Sequence, residues 1–273
     1  MARPGIGVLI HADLLSAHRA HLMNVALFIP CFVNELFPHV AMATVELLEG
    51  YGVTVHYPMD QTCCGQPLSN NGDSRGACEA AQRFTGLFKD YDYVVSPSGS
   101  CTAYVKHHYD WYIADSNAYK ALQPRIYEIV EFLQDVLKVE KLPKPVYFPH
   151  TVSIHQSCHG LRELGHAAPS ELMVPYHSRL ERILQLVDGI EVRLPERRDE
   201  CCGFGGTFSV DEPEVSVAMG EDRVAQHEAT GAQFIVGADP SCLMHMGGII
   251  RHNGRPIRPL HVVEILTGRG GAA

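Results

Sequence analysis

Short apolar runs alternate with longer segments of helical periodicity from residue 24 onward. Residues 24–29 form a continuous apolar run of the kind found in buried strands, and residues 38–50 carry apolar positions along one helix face. The same patterns continue as strands and helices at residues 53–57, 73–90, 91–95, 104–112 and 126–137. Strands that alternate with helices predict a parallel sheet flanked by helices.

The second half of the chain repeats this order. Its strand and helix patterns fall at residues 152–155, 175–187, 190–194, 215–230 and 233–237. The halves also close alike, with Val-Glu-Phe-Leu at 130–133 and Val-Glu-Ile-Leu at 263–266. Repetition of this kind indicates duplication of one unit. We therefore predict an α/β protein with two tandem parallel-sheet domains related by a pseudo-twofold axis.

The two predicted domains span residues 23–142 and 151–273. Residues 143–150, between them, contain three prolines, a composition typical of a linker. Residues 1–22 have no clear period and no counterpart in the second half. We expect this N-terminal extension to be disordered, and we assign it no function.

Two Cys-Cys-Gly triplets dominate the candidate chemistry. For this composition, chance predicts about 0.03 such triplets in the whole chain. Each triplet has one lone cysteine upstream and another downstream, at similar distances. The first set is Cys31, Cys63, Cys64 and Cys101, and the second set is Cys158, Cys201, Cys202 and Cys242. All eight follow predicted strands, and the carboxyl ends of parallel strands meet at one edge, so four thiols should converge in each half.

Four converging thiols suit several kinds of chemistry. Cysteine can be a small buried apolar residue, four thiolates can hold structural zinc, and thiol pairs can cycle through a disulfide. Burial alone does not explain a spacing that occurs twice, and adjacent cysteines chelate one zinc ion awkwardly. A multi-iron cluster offers separate irons to neighbouring thiolates. Gly65 and Gly203 also let backbone N–H groups turn toward an anionic centre. We favour iron–sulfur ligation by both sets.

Charge and composition limit the partners and the compartment. A net charge of −9 over 273 residues, without a run of lysine or arginine, argues against a nucleic-acid partner. No apolar stretch reaches the roughly 18 residues that a membrane span needs. The nine cysteines are odd in number and follow no secretory signal, so we expect reduced thiols in the cytoplasm.

Several motifs carry a resemblance to a known family. They are Cys63-Cys64-Gly65-Gln66-Pro67, Cys201-Cys202-Gly203-Phe204-Gly205-Gly206, and residues 43–49, 94–101, 207–210 and 235–239. The paired pattern resembles the cysteine-rich CCG domain family, which includes the CCG-domain component of heterodisulfide reductase and the iron–sulfur component of glycolate oxidase. From about residue 23 to residue 266, the chain resembles the lactate-utilization protein A family in particular.

This resemblance implies a cytoplasmic iron–sulfur component of a multi-subunit system that oxidises L-lactate to pyruvate. The other subunits would be its partners, and L-lactate is a candidate ligand. The chain would be an oxidoreductase subunit, with lactate oxidation itself left open between this chain and a partner. Two alternatives stay open: a thiol–disulfide oxidoreductase of the heterodisulfide reductase type, and a structural metal-binding scaffold.

One departure from the heterodisulfide reductase pattern affects the expected cluster. The heterodisulfide reductase component ends each set with Cys-x-x-Cys, whereas Ser98 and Asp239 stand at the first of these positions here. Four thiolates suit an ordinary 4Fe–4S cluster, so we expect two such clusters, with one cluster and a degenerate site as the open alternative. An oxygen ligand is disfavoured because oxygen is a harder donor. The noncubane cluster and its disulfide cleavage are not expected.

Histidines next to the cysteines are secondary candidates. His155 and His159 flank Cys158, which makes them candidates for contact with the ligands or, less favoured, for a substrate-binding base. His107 and His108 are expected to lie on a helix and face solvent, and Cys78 is expected to be a buried helix residue. No dinucleotide-binding fingerprint follows any predicted strand, so we expect no nicotinamide or flavin.

Overall fold

The computed structural model describes residues 23–270 and contains two four-stranded parallel sheets. The strands are β1 (Asn24–Leu27), β2 (Thr54–His56), β3 (Tyr93–Ser96), β4 (Ile126–Glu128), β5 (Thr151–Ile154), β6 (Glu191–Arg193), β7 (Phe234–Gly237) and β8 (Arg258–His261). The strand order is β2-β1-β3-β4 in one sheet and β6-β5-β7-β8 in the other. This confirms the predicted α/β fold with two tandem parallel-sheet domains.

The helices follow the strands in the same order in both halves. In the first half they are α1 (Cys31–Leu36), α2 (Pro38–Gly50), α3 (Gln66–Asn70), α4 (Ser74–Phe88), α5 (Gly99–His107), α6 (Asp110–Ile113), α7 (Asn117–Leu122) and α8 (Ile129–Glu131). In the second half they are α9 (Cys158–Arg162), α10 (Arg179–Leu184), α11 (Phe208–Asp211), α12 (Pro213–Glu228), α13 (Pro240–His252) and α14 (Val262–Leu266). The 3-10 turns Gln123–Arg125 and Ser170–Leu172 and the π turn Phe132–Val136 complete the described elements.

The registers of the two sheets match position by position. Val25 on β1 lies opposite Val55 and Tyr93, and Val152 on β5 lies opposite Val192 and Phe234. β1 and β5 are central strands whose apolar residues are buried on both faces, and Ser153 of β5 is a buried polar exception.

The helix predicted over residues 126–137 is wrong at its beginning. Residues 126–128 form β4, which pairs with β3, and α8 starts only after them. The buried carboxylate of Glu128 accepts a hydrogen bond from the Val130 N–H at 2.7 Å, so this residue ends the strand and caps the helix. His261 has the same double role between β8 and α14.

One apolar core joins the two halves. It contains Leu47 and Leu48 of α2, Ile183 of α10 and Ile265 of α14, together with residues of β1 and β5. From the predicted linker, residues 143–150, Val146 and Phe148 are also buried in this core. The domain boundaries remain predictions, and the predicted extension of residues 1–22 lies outside the described residues.

A separate layer of helices covers the outer face of each sheet. In the first half the core under this layer is aromatic and includes Phe28, which follows β1, and Phe84, Phe88, Tyr109 and Tyr119. In the second half it contains aliphatic residues and a set of buried polar side chains. Within residues 23–270, no helix has both the length and the apolar character that a membrane crossing requires.

Candidate metal centre

The eight cysteines of the two sets line a single cavity of about 320 Å³ between the halves. Each set contributes one residue at the start of a short helix, two from the Cys-Cys-Gly loop and one from the first turn of a further helix. The helix positions are occupied by Cys31 on α1, Cys101 on α5, Cys158 on α9 and Cys242 on α13. The fold therefore brings each predicted set together and also brings the two sets to one cavity.

The first set is compact and is supported by the Gly65 backbone. Cys31 Sγ lies 3.7 Å from Cys63 Sγ, and the Gly65 N–H donates to Cys63 Sγ at 3.5 Å. Gly65 has φ +91°, and a Cβ there would lie 2.9 Å from Ala80 Cβ, so both the backbone conformation and the packing on α4 require glycine. Donation from Cys31 lowers the pKa of the Cys63 thiol to about 3 and raises the pKa of Cys31.

The second set repeats this arrangement. The Gly203 N–H donates to Cys201 Sγ at 3.3 Å, and Gly203 has φ +87°. Donation from Cys158 lowers the pKa of the Cys201 thiol to about 2 and raises the pKa of Cys158. In each Cys-Cys-Gly loop, the sulfur of the first cysteine thus accepts hydrogen bonds from a neighbouring thiol and from the glycine N–H.

The donor sets fit a bound cation. The buried thiols of Cys64 and Cys202 have raised pKa values because neighbouring thiols and burial both disfavour their thiolates. Four crowded sulfurs can therefore all be thiolates only when a positive centre offsets their charge. Four thiolates satisfy either a thiolate-bound metal ion or an iron–sulfur cluster.

The separation of the sulfurs does not by itself select the metal. Zinc–thiolate bonds of about 2.3 Å give a tetrahedron whose edge is about 3.8 Å, close to the distance between Cys31 Sγ and Cys63 Sγ. The separation of this one pair fits a single zinc ion, whereas thiolate as a donor also suits iron–sulfur clusters, so metal analysis has to measure both zinc and iron.

Asp239 and Ser98 have structural roles beside the two sets. Asp239 caps α13, and its Oδ2 accepts the N–H of Ser100 from the other half at 2.8 Å. Its Oδ1 accepts the hydroxyl of Ser241 at 2.7 Å. The Ser98 carbonyl accepts the Thr102 hydroxyl at 2.7 Å within α5. Because both Asp239 oxygens are engaged, this geometry favours four thiolates over an added oxygen ligand in the second half.

The two candidate histidines differ in their surroundings. His155 is buried below the second set, and one of its ring nitrogens and the sulfurs of Cys202 and Cys242 lie within 4.8 Å of one another. His159 is half-buried at the cavity, where its Nε2 lies 3.3 Å from Gln66 Nε2 and 3.8 Å from a Glu163 oxygen.

Two expectations for other residues are corrected. His107 is exposed as expected, but His108 is only partly exposed and its Nε2 lies 2.8 Å from a Glu163 oxygen in the other half. Cys78 is only half-buried on α4, where its sulfur lies 3.7 Å from the Tyr112 carbonyl oxygen, and it does not line the cavity. Sequence reasoning also missed Arg223, which is fully buried on α12. An alignment of the two repeats would have singled out Arg223, because it is equivalent to a phenylalanine of the first half.

Comparisons with known proteins agree with the repeat. The cysteine-rich domain model named CCG matches residues 25–106 and 152–247. Lactate utilization protein A of Halalkalibacterium halodurans is 40% identical over 249 residues, which cover 90% of this chain and 97% of that protein. The protein of the same name from Geobacillus thermodenitrificans is 39% identical over 250 residues, which cover 90% of this chain and 100% of that protein.

One solved structure shares the fold. A hypothetical protein from Helicobacter pylori aligns with a TM-score of 0.64 at 9% identity, covering 100% of this chain and 56% of that chain. This likeness supports the two-sheet architecture alone. Together, the domain matches and the near full-length relatives show that the chain belongs to the lactate utilization protein A family of CCG-domain proteins.

Proposed function

We propose that this chain is an iron–sulfur component of an L-lactate-oxidising system and carries electrons through cysteine-ligated clusters. The observation that carries the proposal is the pair of four-thiol sets on one cavity. The relatives named lactate utilization protein A support lactate as the source of the electrons. The partners would be the other subunits of that system.

In this proposal each half holds one 4Fe–4S cluster. The ligands would be Cys31, Cys63, Cys64 and Cys101 in the first half, and Cys158, Cys201, Cys202 and Cys242 in the second half. Such a cluster takes up and releases one electron at a time, so the two electrons of lactate oxidation can leave singly. Oxidation of lactate itself on a partner or on this chain is compatible with this role.

The surrounding residues would orient the ligands and limit the access of water. The N–H groups of Gly65 and Gly203 hold the Cys63 and Cys201 sulfurs in place. Phe32 and Phe204, one from each half, meet at the cavity with their ring centroids 5.8 Å apart. We propose a cytoplasmic location because thiolate ligands need a reducing compartment.

Metal analysis tests the cofactor directly. Iron, acid-labile sulfide and zinc per chain are measured after anaerobic purification, and we expect about eight iron and eight sulfide. Cys64→Ser and Cys202→Ser should each remove half of the iron and half of the visible absorbance. Cys78→Ser is the matched control and should change neither. Stoichiometric zinc without sulfide would overturn the electron-transfer role and leave a structural scaffold.

Growth tests the link to lactate. A strain that lacks this gene should fail to grow on L-lactate as sole carbon source and should grow normally on pyruvate. The native gene and the Cys78→Ser variant should restore growth on L-lactate, whereas Cys64→Ser and Cys202→Ser should not. Unchanged growth of the deletion strain on L-lactate, in the absence of a second lactate-oxidising enzyme, would contradict the proposed substrate.

A further inference from the structure

The duplicated halves can be compared residue by residue behind the two cysteine sets. Gly65 packs against Ala77 of α4, and Gly203 packs against Ser216 of α12, so these helix residues are equivalent. Phe84 and Arg223 each stand seven residues further along their helices. By the same count, Phe88 is equivalent to His227. On the strand side, Phe28 and His155 each precede the first cysteine of their set by three residues.

In the first half these three positions form an apolar aromatic cluster. The Phe28 ring lies 5.0 Å from the Phe84 ring and 5.8 Å from the Phe88 ring, measured between centroids. All three side chains are buried, and they share their apolar cluster with Cys64 and Cys101. No charged group and no hydrogen-bond donor stands at any of the three positions.

In the second half the same positions form a buried polar cluster. The Arg223 Nε–H donates to His155 Nδ1 at 3.2 Å, and the Arg223 guanidinium also donates to the Arg197 carbonyl at 2.6 Å. The His227 ring lies 5.8 Å from the His155 ring, and its Nδ1 lies 2.8 Å from the Ser153 hydroxyl. His155, Arg223 and His227 are each at most 1% exposed.

The contact with Arg223 fixes the hydrogen on the His155 ring. A guanidinium only donates, so Nδ1 of His155 has to accept and the neutral ring carries its hydrogen on Nε2. Nε2 is buried without a hydrogen-bond partner among the described residues. Its N–H group is therefore free to donate, and one ring nitrogen of His155 lies within 4.8 Å of the sulfurs of Cys202 and Cys242.

Arg223 adds a buried positive charge, and the anionic groups whose charges act on it are Glu200 and the thiols of Cys202 and Cys158. Across residues 23–270, its guanidinium forms no ion pair, and its hydrogen bonds go to a ring nitrogen and to backbone carbonyls. Burying an unpaired charge is costly, so such a group favours an anion close by. The thiolates of the second set and their bound centre would provide that negative charge.

We propose that the His155–Arg223 pair gives the second cysteine set the higher reduction potential, so that electrons collect there rather than at the first set. This inference rests on the proposed function because it requires a cluster in each half. A nearby positive charge and an N–H donor to sulfur both stabilise the more negative, reduced cluster. The phenylalanines of the first half offer neither. Arg223 contributes its charge and also orients His155 through the hydrogen bond to Nδ1.

A redox titration followed by electron paramagnetic resonance tests the order of the two potentials. Two variants that each retain one cluster are titrated first, because both leave His155 and Arg223 unchanged. Cys64→Ser retains the second cluster and should titrate at the higher potential, whereas Cys202→Ser retains the first cluster and should titrate at the lower one. Equal potentials, or the reverse order, would overturn the inference.

Substitutions behind the second set then test the cause. His155→Phe introduces the residue found at the equivalent position of the first half. It should lower the reduction potential of the second cluster alone by about 59 mV, which corresponds to a tenfold change in the equilibrium constant of a one-electron reduction. His155→Gln retains an N–H donor and should restore most of that shift. Phe28→Leu is the matched control in the first half and should leave the second potential unchanged.

The outcomes separate this inference from the proposed function. Absence of iron and sulfide from the native protein would remove both. Two intact clusters whose potentials do not respond to His155→Phe would remove the inference alone. Loss of half the iron from both the His155→Phe and the His155→Gln proteins, each still folded, would make His155 a ligand and would overturn its role as a donor.

Discussion

The packing of the second Cys-Cys-Gly loop on α12 predicts a large and specific cost for Gly203→Ala. A Cβ at Gly203 would overlap the Ser216 carbonyl oxygen and would lie 2.8 Å from Met219 Cβ. The residue also has φ +87°, a left-handed conformation that costs an L-residue about 1–2 kcal/mol. Overpacking adds about 1–3 kcal/mol, so we expect a total loss of about 2–5 kcal/mol.

Gly72→Ala is the matched control for backbone strain alone. Gly72 has φ +78°, but a Cβ there would meet no heavy atom within 4 Å. We therefore expect only the conformational cost of about 1–2 kcal/mol at this site. Thermal unfolding of the anaerobic proteins gives the comparison, since 1 kcal/mol shifts Tm by about 2–4 °C in a chain of this size. Equal Tm values for the two variants would refute the close packing of the Gly203 loop.

The contact between the halves and the buried histidines give two more predictions. Asp239→Ala leaves the buried Ser100 N–H without its acceptor and should cost about 1–3 kcal/mol in urea unfolding, so a loss below about 0.5 kcal/mol would contradict that contact. His261 is buried and its pKa is lowered to about 3, so the unfolded chain binds one more proton between about pH 6.5 and pH 3. The free energy of unfolding should therefore fall as the pH falls through this window, by up to about 1.36 kcal/mol per pH unit for this group. His261→Asn retains a capping acceptor and should reduce the slope between about pH 6 and pH 4.5 by the contribution of this one group, because the buried His155, His166 and His227 also have lowered pKa values. An unchanged slope would contradict a neutral His261.

The sequence predicts the central strands and the cysteine loops well for physical reasons. β1 and β5 are central strands buried on both faces, so their residues are mostly apolar, with the buried Ser153 of β5 as an exception. β4 and β8 are harder to predict from the sequence, because each ends on a polar residue that also caps the following helix. These residues are Glu128 and His261. The short edge strand and the helix start thus merge into one pattern.

The cysteines are predictable because their spacing occurs twice, whereas the groups behind them are not. Arg223 is a single arginine within a helix that carries many polar residues, and nothing in its local sequence indicates complete burial. Likewise, the proline-rich residues 143–150 read as a linker, although Val146 and Phe148 are buried in the core that joins the halves. Both features depend on contacts between segments that are distant in sequence.

Direct contacts between the two cysteine-bearing loops fix the relation between the sets. The Gly99 N–H donates to the Ala238 carbonyl at 3.1 Å, and the Ser100 N–H donates to Asp239, so the segments just before Cys101 and Cys242 are hydrogen-bonded to each other. These bonds hold the two sets at a constant separation, so a difference between their potentials has to come from their surroundings. Those surroundings differ, because a phenylalanine cluster lies behind the first set and His155, Arg223 and His227 lie behind the second. A buried guanidinium is an expensive substitution for an aromatic ring, and its cost is offset only when the neighbouring site carries negative charge. Removal of the bound centre should therefore destabilise the second half more than the first. Hydrogen exchange in metal-free protein measures this as a greater loss of amide protection in α12 than in α4. Equal loss of protection in both helices would contradict the argument.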